Sequence, residues 1–238
     1  MKKTFVICLT VLITISTVAG CSSDNQTNQT IQGTLKSAQI GGYITLGEYE
    51  QDNNISNGKE AIEWLVLAKE SERILIISKH LLDSVQFTKT ASFEWENSNI
   101  RKWLNNNFMQ TAFTIEEREL IEESVVPADN HPNFAQDPNK YTVDNVFLLG
   151  ISEVNQYFKT SEDAICTATK YAESQSQSWL PTYYCWMLRS YGKSLSHIAF
   201  VEPDGIINED GSIISYDRET NTVSSSGYIR PAMWISIT

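Results

Sequence analysis

Short apolar segments alternate with turn-rich segments from about residue 38 to the carboxyl end of the chain. The early segments favour β-strands, because they are rich in β-branched, aromatic and aliphatic residues and lie between runs of Asn, Asp, Ser and Gly. The last third shows the same pattern between turns such as Asp204-Gly205 and Asp210-Gly211. The predicted strands are Tyr43 to Tyr49, Glu63 to Ala68, Arg73 to Ser78, Tyr183 to Arg189, His197 to Val201, Ile206 to Ile207, Ser212 to Tyr216 and Tyr228 to Ile237.

Helical signals lie between these two groups of strands. Ser98 is a favourable amino-terminal cap for a helix whose apolar residues recur at helical spacing. Thr114 and Glu117 have the spacing of a capping box for a second helix. Shorter helices are predicted after Ser152 and Ser161. The order of strands, helices and strands predicts an α+β fold with a largely antiparallel sheet, rather than a doubly wound parallel sheet.

The amino terminus has the pattern of a lipoprotein signal peptide. Lys2-Lys3 precede a mainly apolar stretch, Phe5 to Val18, which is followed by small residues and Cys21. This order resembles the bacterial lipobox, in which cleavage exposes a cysteine that carries a diacylglyceryl group. The apolar stretch is short for a membrane span, which needs about 18 residues or more. We therefore expect residues 1–20 to be removed and Cys21 to anchor the chain to the extracytoplasmic face of the cell membrane.

A polar segment follows the predicted lipidation site. Residues 21–37 are rich in Ser, Asn, Gln and Thr and hold almost no large apolar residue, so we expect a flexible tether. Residues 38–238 contain no second stretch of this kind and no internal repeat. A chain of about 200 residues can bury roughly 70% of its unfolded surface, so one stable core is expected. The sequence therefore predicts a single α+β domain behind the tether.

Composition and charge narrow the classes of function. The chain has 29 acidic and 18 basic residues, and removal of residues 1–20 takes away two lysines, which lowers the formal charge from −11 to −13. Because phosphate contacts need clustered Lys and Arg, no nucleic-acid partner is expected. His80, His131 and His197 lack a metal-binding spacing, and neither a G-x-S-x-G elbow nor a P-loop is present. Catalysis is therefore not the expected function.

The four cysteines reduce to one candidate disulfide. Cys8 lies in the predicted leader and Cys21 is the predicted lipidation site, which leaves Cys166 and Cys185. Disulfides persist outside the cytoplasm, and this one would close a loop of about 20 residues, worth on the order of 3 kcal/mol in the chain-entropy model. Separation along the chain does not give the distance between the Cα atoms, so two buried free thiols are the alternative.

Two segments of the last third combine arginine with aromatic residues. They read W-M-L-R-S-Y-G over residues 186–192 and G-Y-I-R-P-A-M-W-I over residues 227–235. Arg189 and Arg230 can stack on rings and donate to carbonyls or carboxylates, either to pin a sheet to loops or to bind a ligand. Pro231 indicates an edge or a bulge, because proline cannot donate to a ladder. The candidate structural or ligand-binding residues are Trp186, Arg189, Ser190, Tyr191, Arg230, Trp234 and Trp179.

These segments resemble those of an uncharacterised domain of bacterial surface proteins and lipoproteins, mostly Gram-positive, with W-W-L-R-S-P-G and G-V-R-P-A-L-W-I motifs. The helix after Ser98 and the run Val146 to Leu149 are also similar, so the resemblance covers about Gly42 to Ile237. Met187 and Tyr191 stand where the family usually has Trp and Pro. The terminal strands further resemble C-type-lectin-like domains and the formylglycine-generating-enzyme group, which implies a C-type-lectin-like fold.

The expected function is ligand binding without catalysis, by a lipid-anchored domain that recognises a glycan, a cell-wall fragment or a protein. The alternatives are an extracytoplasmic enzyme of the formylglycine-generating type and a structural or assembly module. Glu202-Pro203-Asp204 is similar to the sugar-selecting triplet of calcium-dependent lectins, so calcium is the one cofactor considered, although the companion W-N-D triplet is absent. A sugar site would use exposed aromatic residues, for which the candidates are Trp95, Trp179, Tyr183, Tyr184 and Tyr191.

The predicted anchor can be tested by a single substitution. Cys21→Ala removes the thiol that would carry the lipid, so we expect the protein to leave the membrane fraction and accumulate in the medium. Cell fractionation and immunoblotting measure this, with Cys8→Ala as a control that should keep the protein in membranes. Retention of the Cys21→Ala protein in the membrane fraction would contradict the lipobox interpretation.

Overall fold

The architecture is mixed, with mostly antiparallel sheets and short helices. The computed structural model describes residues 31–88, 94–129, 140–176, 182–194, 197–211, 215–217, 222–224 and 226–238. These residues confirm the predicted α+β class. Within the described ranges, no helix has the length and apolar character needed to cross a membrane. The predicted leader, Cys21, Trp179 and His131 lie outside the described residues.

The strands and helices are short, and most coincide with predicted segments. The strands are β1 (Tyr43–Tyr49), β2 (Glu60–Lys69), β3 (Arg73–Ser78), β4 (Asp83–Gln86), β5 (Ser124–Pro127), β6 (Tyr141–Asp144), β7 (Trp186–Tyr191), β8 (Ile198–Val201), β9 (Ile207–Asn208), β10 (Ser215–Asp217), β11 (Thr222–Ser224), β12 (Ser226–Ile229) and β13 (Ala232–Ser236). The helices are α1 (31–37), α2 (Asn99–Trp103), α3 (Met109–Ala112), α4 (Ile115–Leu120), α5 (Ile151–Tyr157), α6 (Ser161–Ala164) and α7 (Lys170–Gln175), with a 3-10 turn at Trp95–Asn97 and a π-helical turn at Leu104–Phe108 between α2 and α3.

Two larger sheets carry most of the core. The first has the strand order β1-β2-β3-β13 and is antiparallel throughout. The second has the order β4-β12-β7-β8-β9, in which only the β12–β7 pair is parallel. Strands β3 and β7 are buried along nearly their whole length, as expected for strands with neighbours on both sides, although β7 carries the polar residues Arg189 and Ser190. Two-stranded ribbons pair β5 with β6 and β10 with β11.

The predicted strand from Tyr228 to Ile237 is two strands in different sheets. Strand β12 ends at Ile229 and pairs in the second sheet, whereas β13 begins at Ala232 and pairs with β3 in the first. The chain crosses between the sheets at Arg230 and Pro231. Proline has no N–H for a ladder, and its carbonyl accepts from the backbone N–H of Ser78 at 2.9 Å. The two sheets are therefore joined covalently at the second arginine motif.

The predicted helix caps are confirmed. The Ser98 side chain accepts from the backbone N–H of Arg101 at 3.2 Å, and Thr114 and Glu117 form the reciprocal capping box. Glu117 also accepts from the backbone N–H of Gly47 at 3.0 Å, at an irregularity in β1. This contact satisfies a donor on an edge strand, where an unpaired N–H would otherwise attract another chain.

The prediction of a flexible tether over residues 21–37 is wrong for residues 31–37. Residues 31–37 form α1, and Leu35 is buried in the core although the segment is polar in composition. The ammonium group of Lys69 donates to the carbonyls of Lys36 and Ala38 at 2.7 and 2.8 Å, which satisfies groups at the carboxyl end of the helix. One buried leucine and a cap from a distant strand are therefore enough to order this segment against the first sheet.

Gly205 is expected to tolerate substitution far less than Gly58. Both have a positive φ, +82° and +95°, but an added Cβ at Gly205 would overlap the carbonyl of Ser161, while nothing lies within 4 Å at Gly58. Gly58→Ala should cost about 1 kcal/mol for its backbone conformation, and Gly205→Ala about 3 kcal/mol or more because α6 must also move. Urea denaturation of both variants measures the difference. Equal losses of unfolding free energy would contradict the close packing of this turn against α6.

Candidate functional site

Arg189 is a buried cation in the middle of the second sheet. Its Nη1 donates to the carboxylate of Glu153 and to the carbonyl of Leu148, the latter at 2.9 Å. Its Nε and Nη2 donate to the carbonyl of Pro127 at 3.4 Å. Glu153 in turn accepts from the backbone N–H of Gly150 at 2.8 Å, at the start of α5. One guanidinium therefore joins the central strand β7 to the end of β5 and to the first turn of α5.

Ser190 completes this junction from the opposite face of β7. Its hydroxyl donates to the carboxylate of Asp129 and accepts from the backbone N–H of Ile151 at 2.9 Å. Asp129 also accepts from the side chain and the backbone N–H of Ser152. A carboxylate at the amino end of a helix is favourable, because the N–H groups there carry partial positive charge. The Arg-Ser pair of the first motif thus fixes α5 and the end of β5 in place.

Arg230 is also buried and holds structural elements together. Its Nε donates to the carbonyl of Ser78 at 3.0 Å and its Nη1 to the carbonyl of Ala164 at 3.2 Å. Its Cζ lies 5.4 Å from the ring centroid of Phe158 and 5.2 Å from that of Trp186. Among the described residues no carboxylate forms an ion pair with it. Its positive charge is stabilised instead by the two carbonyls and by the two aromatic rings, because the negative face of a ring attracts a cation.

The remaining candidate tryptophans are also structural where they are described. Trp186 is fully buried, and its Nε1 donates to the carbonyl of Ala164 at 3.2 Å. Trp234 is half-buried, with the Arg73 guanidinium 4.1 Å from its ring centroid. Neither lines a surface cleft among those described. These contacts favour a packing role for both side chains.

The two candidate disulfide cysteines are free thiols in the structure. Cys166 is buried and donates to the carbonyl of Lys79 at 3.2 Å, and Cys185 is half-buried. Burial raises the pKa of the Cys166 thiol, and burial with the nearby Glu202 carboxylate raises that of Cys185 to about 11. Because the thiolate is the reactive form, neither side chain is activated as a nucleophile at neutral pH. In the structure, Cys166 and Cys185 are therefore two free thiols and do not form the disulfide bridge.

A cleft opens beside the end of β7. Its enclosed space is about 30 Å³, room for about one water molecule, so a larger ligand would bind across its mouth rather than inside it. Arg189 and Tyr191 of the first motif lie on it, whereas Trp186, Arg230 and Trp234 do not. The 3-10 turn supplies one wall and the β5–β6 ribbon the other. The lining residues are Trp95, Glu96, Val126, Pro127, Ala128, Asp129, Lys140, Tyr141, Thr142, Arg189 and Tyr191.

The Trp95 wall is fixed by a buried polar cluster. Its indole Nε1 donates to the carboxylate of Asp144 at 3.0 Å and to the hydroxyl of Thr142 at 3.2 Å. Thr142 donates to the same carboxylate at 2.6 Å, and Arg101 forms an ion pair with Asp144. Because every group in this cluster has a partner, the ring has little freedom to lose on contact with a ligand. The prediction that Trp95 and Tyr191 lie outside the core is wrong, since both are mostly buried and present only an edge to the cleft.

The mouth of the cleft combines an exposed ring with charged groups. Tyr141 is exposed, and the ammonium group of Lys140 lies 3.3 Å from a Glu94 oxygen and 3.6 Å from a Glu96 oxygen. Burial, helped by those two carboxylates, raises the pKa of Tyr191 to about 12, so its phenol stays neutral at physiological pH. The arrangement can cover a flat apolar face and exchange hydrogen bonds around its edge.

The residues that the β5–β6 ribbon brings to this cleft were not among the predicted site residues. Strands β5 and β6 are four residues each, and residues 130–139, which separate them, lie outside the described ranges. The sequence signal for β6 was the alternation of two kinds of side chain from Tyr141 to Asp144. In the structure, Thr and Asp face inward while Tyr and Val face solvent. Such short runs are ambiguous until a partner strand is known.

A second, larger and more open groove of about 410 Å³ lies beside α5 and the β8–β9 turn. It contains none of the motif residues. We regard it as the weaker candidate for that reason. Its lining residues are Val154, Asn155, Phe158, Lys159, Thr160, Ser161, Ala164, Gly205, Ile206, Ile207 and Glu209.

The carboxylates of the lectin-like triplet are engaged within the protein. Glu202 accepts from the Tyr183 hydroxyl and, at 2.9 Å, from the Asn208 amide, while Asp204 accepts from the backbone N–H of Ile206 at 3.1 Å. Tyr183 is exposed, as predicted. These bonds are typical of a closed turn. Calcium at this triplet stays a prediction.

Acidic side chains with cation spacing occur elsewhere. Among the described residues, the carboxylates of Glu50, Asp52 and Glu60 lie within 4.8 Å of one another. Backbone N–H groups already donate to all three, including that of Asn54 to Glu50 and Asp52 at 2.8 Å and that of Gln51 to Glu60 at 2.7 Å. Hydrogen bonds from the Asn57 amide and other neighbours lower the pKa of Asp52. The three carboxylates therefore stabilise the loop in which they lie by accepting hydrogen bonds from its backbone.

The buried ion pair of Arg189 should matter far more to stability than an exposed pair. Glu153→Ala would leave a guanidinium that is 2% exposed without its anion, so we expect a loss of about 3 kcal/mol of unfolding free energy. Glu63→Ala breaks the Lys79 pair, whose side chains are 36% and 48% exposed, and should cost about 0–1 kcal/mol. Chemical denaturation compares the two. Similar small losses would show that Arg189 does not hold these segments together.

Comparison with known proteins places the chain in a family. Residues 71–237, more than two thirds of the sequence, match the family described as a domain of unknown function, DUF6273. No curated protein and no solved structure matches the chain. The matched range includes β7, β12, β13 and the cleft. This chain therefore belongs to the DUF6273 family of domains of unknown function.

Proposed function

We propose that this protein is a lipid-anchored, extracytoplasmic binding module that holds a glycan, such as a cell-wall fragment, across the mouth of the cleft between Trp95, Tyr141 and Tyr191 without catalysis. The observation that carries the proposal is the convergence of these three aromatic side chains with charged and hydroxyl groups at one cleft. A sugar ring is a ligand that needs both a flat apolar contact and hydrogen bonds around its edge.

The chemistry of the cleft suits a sugar ring. A pyranose has apolar C–H faces and a rim of hydroxyl groups, so it can stack on an aromatic ring while its rim meets polar groups. Tyr141 is the exposed ring, Tyr191 a neutral phenol, and Glu96 and Lys140 the charged rim. The fixed Trp95 wall lowers the entropy cost of binding.

The amino-terminal pattern and the charge support the proposed location. A lipidated Cys21 would hold the domain at the outer face of the membrane, where cell-wall glycans are accessible. The expected mature charge of −13 favours solubility and disfavours polyanionic partners.

A C-type-lectin-like relationship is part of the proposal. In support, the two motif-bearing strands are neighbours, since β12 and β7 pair in parallel with Tyr228 opposite Trp186. The first motif and the start of the second therefore lie side by side in one sheet, which supports the distant resemblance. Fold similarity alone would not assign a ligand.

The two alternative functions have less support. An enzyme of the formylglycine-generating type would use thiol chemistry, but burial raises the pKa of both Cys166 and Cys185. A purely structural module would have no reason to keep Tyr141 exposed at the mouth of a cleft, although exposed aromatic residues occur singly on many proteins.

Two exposed tyrosines provide a matched test. Tyr141 is 59% exposed at the cleft and Tyr43 is 55% exposed on β1. Tyr141→Ala should weaken binding of a tetramer of N-acetylglucosamine or of soluble peptidoglycan fragments about fivefold, since one stacking contact contributes about 1 kcal/mol. Tyr43→Ala should leave the affinity unchanged. Isothermal titration calorimetry on the full-length protein in detergent micelles measures both.

Two results would overturn the glycan proposal. The first is absence of binding to either glycan by the unaltered protein, which would favour a structural module. The second is equal loss in the Tyr141→Ala and Tyr43→Ala proteins, which would move any binding away from this cleft.

A further inference from the structure

We infer that Tyr49 and Asp83 form an acid-strengthened clasp between the edges of the two large sheets, which makes the packing of one sheet on the other depend on pH. The clasp lies apart from the proposed glycan cleft, and neither residue lines that cleft. The inference is therefore independent of the proposed function.

The clasp joins the outer strands of the two sheets. Tyr49 is the last residue of β1, at one edge of the first sheet, and Asp83 is the first residue of β4, at one edge of the second. The Tyr49 hydroxyl donates to a carboxylate oxygen of Asp83 at 2.6 Å. Because an edge strand has a backbone ladder on one side only, this bond adds a constraint between the sheets that the ladders do not supply.

Aromatic rings keep water away from the clasp. Helix α7 packs against β4, and its Tyr171 ring meets that of Tyr49 edge to face, with the centroids 5.8 Å apart. The Phe108 ring also packs on Tyr49, at 5.4 Å, and the backbone N–H of Tyr171 donates to the carbonyl of Gln51 at 3.0 Å. Asp83 is therefore only 7% exposed and Tyr49 only 6%.

The carboxyl group of Asp83 has neutral partners only. Besides Tyr49, its donor is the backbone N–H of Ser84, at 2.7 Å. Within the part of the chain that the structure describes, no lysine, arginine or histidine forms an ion pair with it. A buried carboxylate without a counter-ion is disfavoured relative to its neutral form. Burial accordingly raises the pKa of Asp83, although the two hydrogen bonds oppose this change.

The titratable groups that face the clasp from β1 and α7 add no positive charge. Burial, and after it the Asp83 carboxylate, raises the pKa of both Tyr49 and Tyr171, so both phenols stay protonated. Glu50, which follows β1, faces Tyr171 and is itself an acid. The surroundings of Asp83 therefore favour its neutral form.

The two cations nearest to Asp83 along the paired strands are turned elsewhere. On β12 the residue paired with Asp83 is the apolar Ile229, and the guanidinium of the following Arg230 donates to two backbone carbonyls. On the other side, the Nδ1 atom of His80 lies 3.2 Å from the hydroxyl of Thr167. Neither side chain compensates the charge of an ionised Asp83.

The direction of the pH effect follows from this raised pKa. The ordinary pKa of an aspartate is 3.8, and the buried Asp83 holds its proton to a higher pH than that. Its contribution to stability is therefore fully present below the pKa of the unfolded chain and is lost as the pH rises through the pKa of the folded chain. Acidification towards pH 4 should thus strengthen the clasp.

An uncharged isostere of Asp83 provides the test. Urea denaturation of the full-length protein in detergent micelles is followed by tryptophan fluorescence between about pH 8 and about pH 4.5. Acidification should raise the folding equilibrium constant of the unaltered protein about threefold or more relative to that of Asp83→Asn, whose amide does not titrate. Asp210→Asn removes an exposed aspartate and should follow the unaltered protein. A ratio between the unaltered and the Asp83→Asn proteins that is constant with pH would overturn the inference.

A second variant tests the clasp without changing Asp83, and it decides the matter if Asp83→Asn does not fold. Tyr49→Phe removes one of the two donors to the carboxylate and keeps the ring. The ionised carboxylate needs that donor more than the neutral form does, so the folding equilibrium constant should fall about threefold further at pH 8 than at pH 4.5. Tyr43→Phe, at an exposed position of the same strand, should have no effect at either pH. A Tyr49→Phe loss that is equal at the two pH values would overturn the inference.

Discussion

The guanidinium of Arg189 has to be satisfied without water, and this requirement organises the region around the cleft. A buried cation is costly unless it is paired and fully hydrogen-bonded. Its partners come from two separate segments, namely the stretch with the Leu148 carbonyl and Glu153 at the start of α5, and the end of β5 with the Pro127 carbonyl. Once β7 is in its sheet, these donors hold the start of α5 and the end of β5 against it. The cleft between the ribbon and Tyr191 follows from that placement.

The second motif also contains a buried arginine, Arg230, which lies where the chain crosses between the two large sheets. Arg230 stands where the chain leaves β12 and enters β13, and its donors meet the carbonyls of Ser78 and Ala164 between the rings of Phe158 and Trp186. Both arginines therefore stabilise the framework, and neither is free to bind a ligand with its full fork. Contacts with a ligand would therefore come from other residues that this framework holds in place. These are the fixed ring of Trp95 and the more exposed side chains of Tyr141 and Lys140.

Local sequence patterns predicted much of the fold, whereas contacts between residues far apart in the chain could not be predicted from the sequence. Strands β1 and β3 and the Thr114 capping box depend on neighbouring residues, so they could be predicted. The sequence could not show that Pro231 separates two sheets, because the choice of sheet depends on which strand pairs with Ala232. Nor could it pair Glu153 with Arg189, 36 residues apart. Arg189 and Tyr191 were predicted as candidates, yet their cleft depends on the β5–β6 ribbon, whose partner strand the short pattern did not reveal.

The central claim is that a rigid frame around Arg189 presents one glycan-binding cleft. The most direct measurement is a titration of the isotope-labelled full-length protein in micelles with the N-acetylglucosamine tetramer and with soluble peptidoglycan fragments, followed by NMR of side-chain and backbone signals. The account predicts saturable shifts at Trp95, Lys140, Tyr141 and Tyr191, with Trp234 and Tyr43 unchanged. Shifts confined to the groove around Phe158 and Ile206, or no shifts with either sugar, would contradict it.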